Sequence, residues 1–497
     1  MPHPRSVVSF LAIALVAPLL HAALAVAPTS LFPAPGAAQA CVDTPLRLSF
    51  AEPVARGKAG LIRIVDASDG QVVDTIDVAK ATDTRTIGGA GGFQVYPVIV
   101  DGDEAEVAPH SGRLQYGKSY YVTADAGAFV CGGRPSEAIR GPAAWRFSTK
   151  AAGPKPGSAR LVVAADGSGD FCTVQAALDF VPAGNDRPVT IFIRKGLYRE
   201  IVFFAQKNDI TLQGESRTGT IIAYANNARF NPSGGNPFEG ESPNPAAAHV
   251  TGGHIYRRGV LLAHRVQNLS IVNLTIHNLT PYGGSQAEAI ILNGTTSAHA
   301  ILKGLDLYSY QDTLQINGQA YVTNCHFDGD VDFLWGTGPC YFEGCTFRSL
   351  HSGRYFTQIR NPASNHGYVF HRCVFEGAPG VKGNYLSRIA PNRFPHSEVV
   401  LIDCRLSSAV GPTAWQLKND NRAPVGDCPN IHFWEYDSRT PDGAAVDMSG
   451  RNPHSRRLEM PADEALIRDY SNPVFVLGGW NPLSSPTLGA SADTRAG

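Results

Sequence analysis

A short strand motif recurs through the middle of the chain at bounded but uneven spacing, and it constrains the fold more than any other feature. Its copies are Val272-Asn-Leu274-Thr-Ile276, Lys303-Gly-Leu305-Asp-Leu307, Thr323-Asn-Cys325-His-Phe327, Glu343-Gly-Cys345-Thr-Phe347, His371-Arg-Cys373-Val-Phe375 and Ile402-Asp-Cys404-Arg-Leu406. The central residues fall at 274, 305, 325, 345, 373 and 404, so the steps are 31, 20, 20, 28 and 31. A floor of 20 with insertions on some turns predicts a coil of parallel strands. Each turn must climb one strand spacing, while the loops between strands vary freely. Side chains alternate across a strand, so these six residues should stack inside the coil as Leu, Leu, Cys, Cys, Cys, Cys. The four cysteines are then small buried hydrophobes, and their spacing fits no zinc module.

The 497 residues are 43% hydrophobic and 17% charged, enough apolar surface for a large core. Lys plus Arg number 42 against 43 Asp plus Glu, a net charge of -1 that excludes a protein built on a basic field for nucleic acid. At the start, Arg5 precedes the apolar run Val7 to Leu20. Small residues follow at Ala25-Val26-Ala27 and Ala38-Gln39-Ala40. This is the pattern of a secretory signal, too short for a membrane span, and it predicts a secreted or periplasmic protein. Cleavage after Ala27 or after Ala40 fits; the second would put Cys41 at the new terminus, where a lipoprotein form is an alternative. No later segment is long and apolar enough to span a bilayer.

The chain divides into residues 1–40 (signal and leader), 41–149, a Pro/Gly linker at 150–158, a body at 159–484 and a tail at 485–497. Residues 41–149 alternate apolar and polar over short runs such as Leu46 to Phe50 and Leu61 to Val65, separated by turn pairs such as Asp69-Gly70. This predicts a small β-sandwich. The closing phrase Trp145-Arg-Phe147-Ser-Thr149 resembles the last strand of bacterial immunoglobulin-like modules. Cys41 and Cys131, the only cysteines there, are read as one bridge or as two unrelated thiols. The fold expected for the whole is all-β: a right-handed parallel β-helix preceded by an immunoglobulin-like sandwich. A capped β-helix is self-sufficient, so a monomer is expected.

Several segments carry chemistry. Ala164 to Gln175 reads Ala-Ala-Asp-Gly-Ser-Gly-Asp-Phe-Cys-Thr-Val-Gln. Then come Gly196-Leu-Tyr198-Arg-Glu200, Gln286-Ala-Glu-Ala-Ile290, Gln311-Asp312-Thr-Leu314, Gly329-Asp-Val-Asp332-Phe333-Leu-Trp335-Gly336 and Tyr385-Leu-Ser-Arg388. Asp312 and Asp332 are 20 apart, the minimal repeat, which places them on neighbouring strands. Two close carboxylates in partly apolar surroundings cannot both ionise cheaply; one pKa rises while the other stays low. Arg388 is suited to keep one charged, and Gln286 and Gln311 supply neutral donors for a developing oxyanion.

In order and context these motifs resemble the pectin methylesterase (pectinesterase) family from about 160 to 484. The resemblance implies hydrolysis of galacturonate methyl esters in pectin, or in another methyl-esterified acidic polysaccharide. Asp332 matches the nucleophile, Asp312 the general acid and base, Gln311 and Gln286 the oxyanion residues, and Arg388 the residue that orients the nucleophile. No metal or organic cofactor is implied, and the chain has no Gly-x-Ser-x-Gly elbow or His-Glu-x-x-His helix. Trp335, Phe333 and Tyr282 are the expected substrate-binding aromatics, and Trp415 is a further cleft candidate; for Phe333, Tyr282 and Trp415 packing under a loop is an equal alternative, and Arg360 and Arg393 either meet substrate carboxylates or face water. Two departures stand out. The family's Leu-Gly-Arg-Pro-Trp is Leu386-Ser-Arg388-Ile-Ala390, and the Tyr that often follows Gln-Asp-Thr-Leu is Gln315. They leave open an esterase or thioesterase with a different acyl substrate, and, less well supported by the intact Asp and Gln set, a non-catalytic carbohydrate-binding β-helix.

Overall fold

The computed structural model describes residues 24–232, 257–294 and 298–489. The apolar run at the start, most of the 226–259 loop and the last part of the tail lie outside the described residues.

From Arg160 onward the chain winds through three parallel sheets of eleven, eight and eight strands. Neighbours in each sheet come from consecutive turns, which is the expected right-handed parallel β-helix. The six ladder residues are all buried, from Leu274 to Cys404. The thiols are satisfied by backbone carbonyls one turn back: Cys345 donates to Val322 at 3.5 Å, Cys373 to Phe342 at 3.5 Å and Cys404 to Phe370 at 3.2 Å. Beside them runs a stack of rings, with Phe327–Phe347 centroids 4.9 Å apart and Phe347–Phe375 5.1 Å.

The residue before each ladder position turns the corner. Asn273, Gly304, Asn324, Gly344, Arg372 and Asp403 all have φ between 52° and 62°. This left-handed geometry is cheap for Gly and tolerated by Asn and Asp, which explains why the motif so often reads Asn or Gly ahead of the buried residue.

The N-terminal body is antiparallel. One sheet runs Ser30–Phe32, Leu46–Ser49, Glu104–Val107, Val98–Asp101; another runs Arg146–Ser148, Ser119–Ala124, Leu61–Asp66, Val72–Asp77. A shared core includes Leu48, Trp145 and Phe147. The first strand lies ahead of Cys41 and pairs in register with Arg47 to Ser49. Cys41 and Cys131 are not bonded. Cys131 pairs with Val54 inside a small three-stranded sheet, while Cys41 faces the β-helix beside Cys172, an arrangement that favours the reading of two unrelated thiols over a Cys41–Cys131 bridge.

This body caps the first turn of the β-helix. Asp43 accepts from the backbone N–H of Cys172 at 2.9 Å and of Thr173 at 2.8 Å. Arg199 reaches back to Asp101 at 2.9 Å and Glu104 at 3.0 Å. A hairpin, Asp83–Ile87 with Ala90–Val95, extends over the coil, and Phe93 packs on Phe203 with centroids 5.5 Å apart. The Tyr198-Arg-Glu200 motif is structural: Glu200 accepts from the N–H groups of Val174 and Gln175 at the start of the helix Val174–Phe180. At the other end, Glu464–Tyr470 and Pro473–Val476 pack on the outer face of the eleven-stranded sheet.

Candidate active site

The third sheet carries the site. Its strands include Ile290–Asn293, Leu314–Ile316, Val331–Gly336, Tyr355–Ile359 and Tyr385–Ile389 in successive turns. Leu314 pairs with Leu334, and Gln311 forms a bridge to Val331, so Asp312 and Asp332 lie side by side on neighbouring turns. The Asp312 N–H donates to the Val331 carbonyl at 3.0 Å. Asp312 (φ 64°) and Asp332 (φ 48°) both occupy the left-handed region. The register shifts between Val331 and Leu334, a bulge that turns Asp332 out of the regular alternation.

The two carboxylates have different partners. Arg388 grips Asp332 with both arms, Nε to Oδ1 at 2.8 Å and Nη2 to Oδ2 at 2.5 Å. The Arg388 guanidinium lies over Tyr355 at 4.5 Å, and Tyr355 stacks on Tyr385, which holds the fork in place. Asp312 receives one bond from Arg258 Nη2 at 3.1 Å, but Arg258 is also bound to Glu288 at 2.7 to 3.0 Å. Burial raises both Asp pKa values. For Asp332 the bonds and charge of Arg388, and the charge of Arg360, oppose that rise. For Asp312 the Glu288 charge adds to burial, Arg258 opposes, and Asp332 adds further, so its carboxyl is held well above the usual range. The pair is therefore unequal, with the proton held more firmly on Asp312 than on Asp332.

Gln286 and Gln311 flank this pair. The Ala287 N–H donates to the Gln311 carbonyl at 3.1 Å, so residues 286, 311 and 331 come from three turns in line. Both Gln residues are half-buried. Arg258 and Glu288 escaped the sequence reading. Glu288 lies inside the Gln286-Ala-Glu-Ala motif, and a carboxylate two residues from Gln286 was the available signal. Arg258 had none.

The protein-family model for pectinesterase matches residues 160–237 and 246–460. The chain belongs to the pectinesterase family. It is 30% identical over 299 residues to Pectinesterase 31 of Arabidopsis thaliana, covering 60% of this chain and 86% of that one. It is 26% identical over 294 residues to Probable pectinesterase A of Neosartorya fischeri, covering 58% and 80%. The pectin methylesterase from carrot shares the fold at 20% identity with a TM-score of 0.51, over 66% of this chain and 95% of that one.

Within this pectinesterase-family scaffold the aromatic expectations need correction. Phe333 is fully buried, its ring 5.1 Å from Phe356, because the bulge that frees Asp332 sends the next side chain inward. It touches the core and offers no surface to a sugar. Trp415 is also fully buried, stacked on Phe433 and donating to Glu435 at 3.1 Å. Trp335 is only 4% exposed; Arg360 lies over its ring at 4.8 Å and Arg258 at 5.6 Å, so it supports the arginines and presents no open stacking face. Tyr282 is exposed on the rim, stacked on His351 at 4.1 Å and bonded through its hydroxyl to Arg354. Gln315 lies in register between Ile291 and Trp335, and both its amide atoms are buried without a partner. Arg393 pairs with Asp420 on the surface. Beside Arg388, where the family's Trp is replaced by Ala390, a recess of about 370 Å³ is lined by Gln358, Arg388, Ala390, Gln416, Lys418 and Arg422.

Proposed function

We propose that the protein hydrolyses methyl esters of galacturonate units in pectin, releasing methanol and leaving free carboxylates. The observation that carries this reading is the division of labour between the paired carboxylates: Asp332 in an undivided arginine fork, Asp312 with an arginine already shared by Glu288. Asp332 attacks the C6 carbonyl. The tetrahedral oxyanion is received by the side-chain amides of Gln311 and Gln286. Asp312 gives its proton to the departing methoxide, so methanol leaves and an acyl-Asp332 anhydride remains. Asp312, now a carboxylate, takes a proton from water. The hydroxide attacks the anhydride, restoring Asp332 and releasing the acid. One water is consumed for each methanol released, and no cofactor enters.

Arg360, Arg388, Lys418 and Arg422 around the cleft suit an acidic polymer. The N-terminal signal pattern supports export, and no described helix is long and apolar enough to cross a membrane. The antiparallel N-terminal body is read as an immunoglobulin-like sandwich, and the enzyme as a monomer. A second reading, an ester other than pectin, is favoured by one observation: Ala390 leaves a polar recess where the family's Trp would stack on sugar.

The test is methanol release from highly methylated polygalacturonate by the wild type and by Asp332→Asn. Release that falls by about a thousandfold or more in a folded variant supports the reaction and its nucleophile together. No release from the folded wild type refutes the pectin reading and moves the assignment to a different ester.

A further inference from the structure

The seam between the N-terminal body and the β-helix holds two thiols that the esterase site does not use. Cys41 comes from the first body and Cys172 from the first turn of the coil. Both are buried, and their sulfurs, with a carboxylate oxygen of Asp43, lie within 4.8 Å of one another. The surrounding contacts fix both segments. Asp43 anchors the backbone of Cys172 and Thr173. Lys150 Nζ stands 3.2 Å from the Cys41 sulfur and also binds the Gly169 carbonyl. The Cys41 thiol also meets the carbonyls of Gly167 and Gly169 at 3.7 and 3.6 Å. The ladder thiols neighbour one another too, but within one coil, whereas Cys41 and Cys172 come from separate bodies.

We propose that Cys41 and Cys172 form a disulfide that fastens the N-terminal body to the β-helix. The sulfurs lie within 4.8 Å of each other, near enough to be brought to bonding distance. The chemistry of the seam suits the reaction. A hydrogen bond from Cys172 and the Lys150 charge lower the Cys41 pKa against burial and the Asp43 charge, so Cys41 is the more readily ionised thiol of the two. The oxidant is a low-molecular-weight or protein disulfide of the exporting compartment. One thiolate of the pair attacks one of its sulfurs and expels the first thiol. The other sulfur of the pair then displaces the second, so two thiols are oxidised and one external disulfide is reduced. An adjoining cavity of about 390 Å³ between the two bodies is lined by Asp43, Cys172 and Glu200, so it reaches the Cys172 side of the pair. Metal binding by the same cluster is disfavoured by the Lys150 ammonium, which lies against Cys41 where a cation would need room.

The bond would close a loop running from 41 to 172, most of which is the sandwich itself. Cross-links across long loops restrict the unfolded chain most. The reduced protein retains the Asp43 and Arg199 contacts, so it should still dock.

The experiment uses the full mature chain, refolded with oxidised glutathione or isolated from an oxidising compartment. It is alkylated without reductant and mapped by mass spectrometry, with zinc measured on the same sample. The expected result is a peptide joining Cys41 to Cys172, no stoichiometric zinc, and a melting midpoint that falls by about 5 °C or more on reduction. Cys41→Ser should melt like the reduced wild type and no longer respond to reductant. Cys131→Ser should keep the cross-link. Two alkylated thiols at 41 and 172, a bridge to a different cysteine, or one zinc per chain would each overturn the proposal.

Discussion

Asp312 and Asp332 sit on successive turns of the coil, both with left-handed backbones, and each is held by a different arginine. The difference between those arginines matters more than the carboxylates' own similarity. Arg388 gives both arms to Asp332 alone. Arg258 divides its charge between Asp312 and the buried Glu288. Two chemically identical groups thereby acquire different proton affinities.

The pH dependence of kcat/KM should be bell-shaped. The acid limb reports Asp332, which must be ionised; the alkaline limb reports Asp312, which must carry its proton. Both limbs should lie above the ordinary carboxylate range, because burial raises both groups. Glu288→Gln removes a negative charge that raises the Asp312 pKa, so the alkaline limb should move to lower pH while the acid limb stays. A pH profile of methanol release on wild type and variant checks this; an unmoved alkaline limb would disprove the role given to Glu288.

Arg388→Lys keeps a positive charge but loses the two-armed grip on Asp332. We expect kcat/KM to fall by about tenfold to a hundredfold with little change in stability, since the Arg388 side chain is one-third exposed. Steady-state kinetics beside thermal melting separates the two effects. A melting point that collapses with the activity would make Arg388 a structural residue.

The corner geometry of the ladder predicts a purely backbone effect. Gly344 has φ 59° and open space where a Cβ would stand. Gly344→Ala should therefore cost about 1 to 2 kcal/mol by conformation alone. Leu305→Ala, which opens a hole in the ladder, should cost about 2 to 5 kcal/mol. Urea unfolding measures both, and equal costs would mean that the corner strain has been underestimated.

Acid should loosen the C-terminal helices. Burial would raise the Glu398 pKa, but bonds from His366, His432 and Tyr470 prevail and hold it at about 2, against an ordinary value of 4.5. A depressed folded-state pKa means that this stabilisation is present above pH 4.5 and is lost as pH falls towards 2. The contribution is on the order of 3 kcal/mol. Denaturation series at several acid pH values should show a steeper loss in wild type than in Glu398→Gln.

The strand motif was sufficient to read the coil. A bounded repeat with alternating apolar residues has few other ways to satisfy its backbone, and the Asn or Gly before each ladder residue marks the corner it must turn. The motif order was likewise sufficient for the family and for expecting Asp312, Asp332 and Arg388 close together, because residues one turn apart in a coil are neighbours in space. Phe333 departs from its expected place in the cleft because alternation fails at a bulge: the slip at Asp332 carries it inward, and no residue in the sequence announces it. Arg258, Glu288 and the Cys41–Cys172 contact depend on distances across turns or between bodies, up to 131 positions along the chain for the thiols. Local pattern determines which way a strand faces and how a coil closes. Which charge is shared, and which thiol meets which, is decided only when separate turns and separate bodies are packed together.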